Sequence, residues 1–565
     1  MKKIIVLGSF ILTFMYACDS NKQSAKISDQ IRINQLGFYP SSVKEFTAID
    51  LEASSFKVID AYNNKVFSGD LEDKGKWDGS GEHVMLGDFS SLTAPGAYYV
   101  IINDTIASYP FKIKKELYKP ALKSAIKSYY FQRASMAIDQ RNGGKYHREA
   151  GHPDNKCMYH PSTGKTEGTL NAPGGWYDAG DYGKYIVNAS LSTGQMLHLL
   201  EQYPNVIPDG RLDIPESGND ISDLWDELKY ELDWILTMQD DDGGVFFKLT
   251  ALGFSGFIMP EDYDLDRYII GKGTASTLDF AAVLAQASRL YKDIDADWST
   301  KALEASKKAF SWAEKNDNIA FKNPEDVSTG EYGDDEFSDD FFWAASELFL
   351  ATKEHKYKDA MVKYDQDYKH QLHDSWKFFV RNVAFHSLLE NRNDLDKDLA
   401  NKLVQGHTAL ANDILDKINN HPYHIALNEF EWGSNSDILN QAYILCVAHR
   451  LTGEEKYLIG AEQINDYIFG KNATGFSFLT GYGAKKIMFP HHRPSGADSI
   501  ADPVPGFILG GPNNDRQDAH DVAYSSEFAA KAHEDVEPSF ASNEVCINWN
   551  APAVFVLGYL EQARK

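Results

Sequence analysis

Ile221-Ser222-Asp223-Leu224-Trp225-Asp226-Glu227-Leu228-Lys229-Tyr230-Glu231-Leu232-Asp233-Trp234-Ile235-Leu236 carries the period that decides the fold. Ile221, Leu224, Trp225, Leu228, Leu232, Ile235 and Leu236 recur at three- and four-residue steps, which places them on one apolar stripe of an α-helix. The same period returns near 117–138, 185–203, 275–292, 299–316, 340–353, 371–390, 399–419, 435–452, 455–469 and 551–563. About a dozen helices of similar length, joined by loops that carry Gly, Pro and aromatic residues, suit paired layers such as a toroid of inner and outer helices. In such a toroid the loops at one end build the cleft.

Before residue 114 the period is different. Ile31-Asn34, Phe46-Ile49, Phe56-Ile59, Lys65-Ser68, His83-Leu86, Tyr98-Ile102 and Tyr109-Lys112 are short β-rich runs, with Asn63-Asn64 and Pro95-Gly96 as turns between them. Seven strands in so short a stretch predict a small β-sandwich over 31–113, followed by an all-α domain over 114–565. The sandwich holds no titratable cluster, so its expected part is support.

The first residues read as an export signal. Met1-Lys2-Lys3 is basic, Ile4 to Ala17 is apolar but too short to span a bilayer as a mature helix, and Cys18 follows a small residue. Residues 1–17 are expected to be a lipoprotein-type signal with Cys18 as the lipidated residue, an ordinary cleaved signal being the alternative. Residues 18–30 make a polar tether. The expected place is the outer membrane of a Gram-negative bacterium, on its periplasmic or outer face, with the lipid as the only membrane contact.

Composition narrows the partners. The 565 residues carry 82 acidic and 56 basic side chains, a net charge of −26, which argues against nucleic acid or anionic lipid as a ligand. The 30 Tyr, 32 Phe and 10 Trp give a large core and rings to spare for flat, neutral partners. Four widely spaced cysteines, Cys18, Cys157, Cys446 and Cys546, form no CxxC pair and suggest neither a disulfide framework nor a zinc ribbon.

Three stretches hold the candidate chemistry. In Gly174-Gly175-Trp176-Tyr177-Asp178-Ala179-Gly180-Asp181-Tyr182-Gly183-Lys184-Tyr185, two carboxylates three residues apart can hold a water and take its proton, with Trp176 and Tyr177 as an aromatic wall for substrate. Taken alone, the same acids suit a cap on a helix beginning near Tyr182. The second stretch is Ser477-Phe478-Leu479-Thr480-Gly481-Tyr482-Gly483-Ala484-Lys485, leading to Pro490-His491-His492-Arg493-Pro494. Extended backbone there turns His491 and Arg493 to one side, a donor imidazole beside a guanidinium for gripping hydroxyls. A loop stapled by an arginine–carboxylate pair is the plainer alternative. The third is Asp535 with Phe540-Ala541-Ser542-Asn543-Glu544-Val545-Cys546-Ile547-Asn548-Trp549-Asn550-Ala551-Pro552. Apolar neighbours raise the Glu544 carboxyl toward a general acid, whereas a helix starting near Asn550 favours its ionised form. Desolvation must win for that role.

With these motifs in that order, the chain resembles glycoside hydrolase family 9, the family of many endoglucanases, in the subgroup with an amino-terminal immunoglobulin-like domain. Ile31-Arg32-Ile33-Asn34-Gln35-Leu36-Gly37-Phe38-Tyr39-Pro40 is similar to the opening of that domain. Pro215-Glu216-Ser217-Gly218-Asn219 and Trp432-Gly433-Ser434-Asn435-Ser436 are similar to other family segments. The resemblance implies an (α/α)6 barrel and hydrolysis of β-1,4-glucosidic bonds with inversion. It makes Asp181 the catalytic base, Asp178 its partner on the water and Glu544 the general acid. His491 and Arg493 would grip the sugar beside the cleaved bond, Asp535 would be the acidic member of the third motif, and Trp432 would stack on a sugar. Inversion asks for carboxyl groups roughly 6.5–9.5 Å apart.

No cofactor is expected for the chemistry. Some relatives bind calcium near a segment similar to Asp335-Glu336-Phe337-Ser338-Asp339-Asp340, so Asp339 and Asp340 are candidate ligands, a solvated acidic loop being the alternative. Zinc is not expected, because only Cys157 with His152 and His160 is at hand. Cys546 and His533 depart from the family pattern. The expected function is an endo-acting β-glucanase working as a monomer on cellulose-like, mixed-linkage or xyloglucan chains. Alternatives are an exo-acting glucosidase or cellobiohydrolase and a non-catalytic glycan-binding lipoprotein.

Overall fold

The computed structural model describes residues 25–371, 379–427 and 429–565. The signal segment, Cys18 and most of the tether lie outside the described residues.

Each of the seven expected strands forms, and two short ones join them. Lys65–Trp77 runs far beyond the expected Ser68, because its first half pairs with Ser55–Asp60 and its second half with Glu82–Asp88, so one strand serves both sheets. Lys26–Ile27 pairs parallel to Ile106–Ala107, so part of the stretch read as a tether is paired into the sandwich. The sandwich core is aromatic, with Phe38, Phe46, Phe56, Phe89 and Phe111 buried and meeting mostly edge to face.

Twelve helices of ten or more residues follow among the described residues. They are α1 (Lys119–Gln132), α2 (Ile186–Gln202), α3 (Asp223–Thr237), α4 (Thr274–Tyr291), α5 (Ala296–Ala313), α6 (Ser338–Thr352), α7 (His355–Tyr364), α8 (Val380–Glu390), α9 (Lys397–Asn419), α10 (Ser434–Thr452), α11 (Glu455–Ile468) and α12 (Ile547–Ala563). The inner ring runs α10, α12, α2, α4, α6, α8, and each outer helix packs on an inner one: α1 on α12, α3 on α2, α5 on α4, α7 on α6, α11 on α10, while α9 touches both α8 and α10. This is an (α/α)6 barrel. Inner helices such as α4 and α12 are buried on nearly every side, as an all-round apolar helix must be. Outer α3 buries the expected stripe of Leu224, Trp225, Leu228, Leu232 and Ile235.

α7 escaped the pattern reading because only Tyr357 and Met361 of its ten residues are buried. α8 starts at Val380, later than expected, and residues 372–378 lie outside the described set. The helix expected from Tyr182 does not start there. The chain turns, Lys184–Tyr185 pairs with Phe246–Thr250, and α2 begins at Ile186 without a side-chain cap.

The sandwich is keyed into the barrel by the stretch that opens it. Asn34 donates to Asp466 Oδ1 at 2.7 Å, and buried Arg32 pairs with Glu82 at 2.8 Å while donating to Tyr423. Gln35 Oε1 accepts the backbone N–H groups of Ala484 and Lys485, both at 2.8 Å, so the sandwich holds one end of the second motif.

Candidate active site

The three motif stretches are stitched together through their backbones. Ala179 bridges Cys546 antiparallel and His491 bridges Glu544 in parallel. Arg493 N donates to Gly180 O at 3.0 Å, His491 N to Asn543 O at 2.8 Å and Ile547 N to Asp178 O at 2.8 Å. Gly180 is what permits this, since a Cβ there would stand 2.1 Å from the carbonyl oxygen of His491. The capping reading of the two aspartates fails here, because they sit at the centre of this junction and α2 starts five residues after Asp181.

The carboxyl groups differ in their surroundings. Asp178 is fully buried and takes hydrogen bonds from neutral groups, Asn188 Nδ2 at 3.0 Å and Tyr332 Oη at 2.7 Å, with the Cys546 thiol at 3.9 Å. Burial, then the charge of Asp181, pushes it up to about 7. Asp181 is slightly exposed, and its Oδ2 accepts Gly183 N–H at 2.9 Å. Half-buried Glu544 is raised well above the usual carboxyl range, first by desolvation and then by Asp181, against the pull of Arg493. Desolvation has won over the nearby start of α12, which begins at Ile547 and not near Asn550.

His491 Nδ1 lies 2.8 Å from the Glu537 carbonyl, which can only accept, so Nδ1 carries the proton and Nε2 is left as an acceptor. Burial lowers the imidazole to about 4, so it is neutral. The expected donor imidazole is therefore corrected to an acceptor. His492 faces the other way, into the core, between Ser495 and Gln132. Arg493 opens a short helix. Its Nε donates to Ser255 O at 3.1 Å, and its buried Nη1 has no protein partner among the described residues.

Asp535 has a bracing part. Its two oxygens accept Met488 N–H and Phe489 N–H, each at 2.8 Å, and Asn543 donates to it at 3.3 Å. This fixes the chain just before His491 and Glu544. His533 joins by contacting Asn543 at 3.1 Å, so that departure from the family pattern fits the local packing.

Two of the expected sugar contacts are corrected. Trp176 and Tyr177 are fully buried. The Trp176 indole donates to Glu227, its ring packs on Tyr129, and the Tyr177 hydroxyl meets His152 Nδ1 at 2.7 Å. Adjacent backbone in a tight loop sends these rings into the core while the carboxylates turn to the cleft. Trp432 is 44% exposed and rests on Phe540. From it, rings continue through Phe540, His491 and Phe257, and the Arg493 guanidinium lies over both Phe257 and Phe254. Phe254 lines a pocket with Asp181, Gly183, Thr250, Tyr263 and Thr329. Asn188, Tyr332 and Phe254 were missed in the sequence because each comes from a distant stretch without a motif of its own.

Asp339 and Asp340 are buried at the start of α6, and three of their oxygens have no hydrogen-bond partner among the described residues. Asp340 and Asp279 lie together, each pushed well above the carboxylate range by burial, so a shared proton accounts for that pair. Among the described residues, no group of three or more His, Cys, Asp or Glu is arranged to hold a metal. The zinc candidates are dispersed, with Cys157 near Asp154, His152 on Tyr177 and His160 on Asp326.

Known proteins share this layout. The profile of glycosyl hydrolase family 9 matches residues 118–557, and that of the cellulase N-terminal ig-like domain matches 26–106. The chain is 39% identical over 560 residues to a xyloglucan-specific endo-beta-1,4-glucanase of Bacteroides ovatus, with 94% of each chain covered. It is 31% identical to endoglucanase D of Acetivibrio thermocellus, over 95% of this chain and 84% of that one. A solved family 9 structure from Bacteroides ovatus superposes with a TM-score of 0.88 at 36% identity, covering 96% of this chain and all of the other. The chain belongs to glycosyl hydrolase family 9.

Proposed function

We propose that this protein is an endo-acting, inverting β-1,4-glucanase whose preferred chain is xyloglucan. The observation that carries the reading is the pairing, in one junction, of a raised acid, Glu544, with Asp181 beside a buried partner, Asp178. Glu544 gives its proton to the glycosidic oxygen as the bond to the anomeric carbon breaks. Asp181 takes a proton from the attacking water, which adds to the opposite face. Asp178, steadied by Asn188 and Tyr332, accepts the water's other hydrogen and aligns it. Each turnover returns both carboxyls by proton exchange with solvent.

The row of rings from Trp432 to Phe254 supports binding of an extended chain, which favours endo over exo action. The likeness to a xyloglucan-specific relative supports a substituted glucan. All three motifs come from one chain, which supports action as a monomer. Lipid attachment at Cys18, on the outer membrane, rests on the signal-like segment Met1–Cys18. A structural calcium at Asp339 and Asp340 rests on the two unpartnered oxygens of Asp339. A melt in EGTA that falls and recovers with calcium supports the ion, and an unchanged melt removes it.

The deciding experiment follows products over time from xyloglucan, barley β-glucan, carboxymethylcellulose and cellohexaose, with Glu544→Gln alongside and the anomer read by NMR. Mixed oligosaccharides of inverted configuration, released fastest from xyloglucan and absent in the variant, are expected. Glucose or cellobiose alone would mean an exo enzyme. Binding without products would leave a glycan-binding protein.

A further inference from the structure

Lys248 is fully buried on the strand Phe246–Thr250. Its ammonium donates to Asn323 Oδ1 and Gly330 O at 2.7 Å, and to Thr329 Oγ1 and O at 3.1 and 3.3 Å. All four acceptors are neutral. Lys184, on the neighbouring strand and equally buried, has instead a carboxylate partner, Asp154, at 2.7 Å. A buried ammonium without a contacting carboxylate is expensive.

Two features of the site bear on it. The first is charge. Lys248 stands opposite Tyr185 in the strand register, and Asp181 lies four residues before Tyr185. Burial lowers the Lys248 ammonium to about 7 against the opposing pull of the Asp181 and then the Glu331 carboxylate, so it carries its charge on the acid side of neutrality, and the Tyr185 and Phe321 rings flank it at 5.6 and 5.5 Å. Asp181 in turn faces two acids, Asp178 and Glu544, along with His491, Tyr185 and Tyr263. With His491 neutral, the cations that face these acids are Arg493, which acts on Glu544, and Lys248, which acts on Asp181. The second feature is position. The Thr329–Gly330 stretch that Lys248 holds leads to Tyr332, which adopts φ +46°, a left-handed conformation costly for a tyrosine. Tyr332 Oη is the group that donates to Asp178.

We propose that Lys248 is a positioning residue for the Asp178–Asp181 pair. Its charge faces the Asp181 carboxylate that takes a proton from water, and its hydrogen bonds to Thr329 and Gly330 hold Tyr332 on Asp178. The inference rests on the hydrolase reading above.

The test uses Lys248→Gln, which keeps donors and removes the charge, Lys248→Arg, which keeps the charge, and Thr329→Val, which removes one hydroxyl contact. For Lys248→Gln, kcat should fall about 10- to 100-fold with KM within about twofold, and the acid limb of the kcat–pH profile should move up by about one pH unit. Lys248→Arg should return the limb toward the wild-type position. Thr329→Val should lose a few-fold in kcat with the limb in place. The limb reports only molecules that turn over, so partial misfolding, followed by melting, cannot imitate the shift. A wild type active on glucan with the same limb in Lys248→Gln overturns the inference alone. A wild type inactive on every glucan overturns the hydrolase reading, and this inference with it.

Discussion

The cleft end of the barrel and the belt around the sandwich, α1, α3 and α11 both bury charge, but they treat it in opposite ways. In the belt the buried arginines meet carboxylates: Arg32 with Glu82, Arg133 with Glu216 and Glu227, and Arg564 with Glu462. At the cleft, Asp178 is met by an amide, a phenol and a thiol, Lys248 by neutral oxygens, and Arg493 leaves Nη1 open. Paired charge fixes the fold. At the cleft, charge left without its opposite sits where a substrate or a proton must come and go.

The largest effect expected from this contrast is at Glu544. Glu544→Gln should lower kcat by about 10²–10⁴ while leaving the melting temperature unchanged or raised, because a carboxyl already driven toward its neutral form loses little when made an amide. Initial rates and a melt on the same preparation check both halves. A fall in Tm as large as the belt variants show would break the comparison. The raised acid also fixes a sign: Glu544 works protonated, so activity should be lost as pH climbs through its raised titration, giving the basic limb of the profile.

Arg133 should show the reverse signature. It is fully buried between Glu227 at 3.0 Å and Glu216 at 2.9 Å, so Arg133→Met strands a buried carboxylate and should cost about 3–5 kcal/mol of stability in urea melts. The kcat of the folded fraction should stay within about twofold of wild type. A collapse of kcat with little loss of stability would mean that the pair serves the chemistry and that pairing does not mark structure.

The legible part of the protein follows from the same physics. Helix period and strand alternation are local, so the sandwich and nearly every barrel helix could be read from the chain, and α7 was lost only because its stripe is two residues deep. Asp178, Asp181 and Glu544 stood out through their motifs. Asn188, Tyr332 and Lys248 could not, since each is an unremarkable side chain until the fold brings it to the carboxylates from α2, the 323–333 loop and a strand. Trp176 and Tyr177 were misread for a related reason. Adjacency along the chain says nothing of which way a side chain turns in a tight loop.

Tyr332→Phe tests one of those distant contributors. Losing a 2.7 Å donor to Asp178 should lower kcat by about tenfold, roughly 1.4 kcal/mol, and leave KM nearly unchanged, since the phenol touches the partner carboxylate and not the sugar. A rise in KM with kcat intact would instead put Tyr332 in the binding surface.

The smallest effect is expected at a tryptophan, and it sharpens the contrast by leaving charge out of it. Trp432 is 44% exposed on the ring row, whereas Trp176 is fully buried with its indole bound to Glu227. Removing an exposed stacking ring costs about 1 kcal/mol of substrate binding, so Trp432→Ala should raise KM on polymer about fivefold with kcat and Tm near wild type. Trp176→Phe should do the opposite. It removes one of the two donors to Glu227 Oε1, leaving Arg133 alone there, and opens a gap in the core, so Tm falls while KM holds. If Trp176→Phe raised KM as Trp432→Ala does, the core position of that ring would not protect the cleft from its loss, and the motif's two rings would be coupled to substrate through the loop they anchor. If neither variant moved KM, the ring row would carry no binding, and the endo reading would lose its structural support while the chemistry at Glu544 stood.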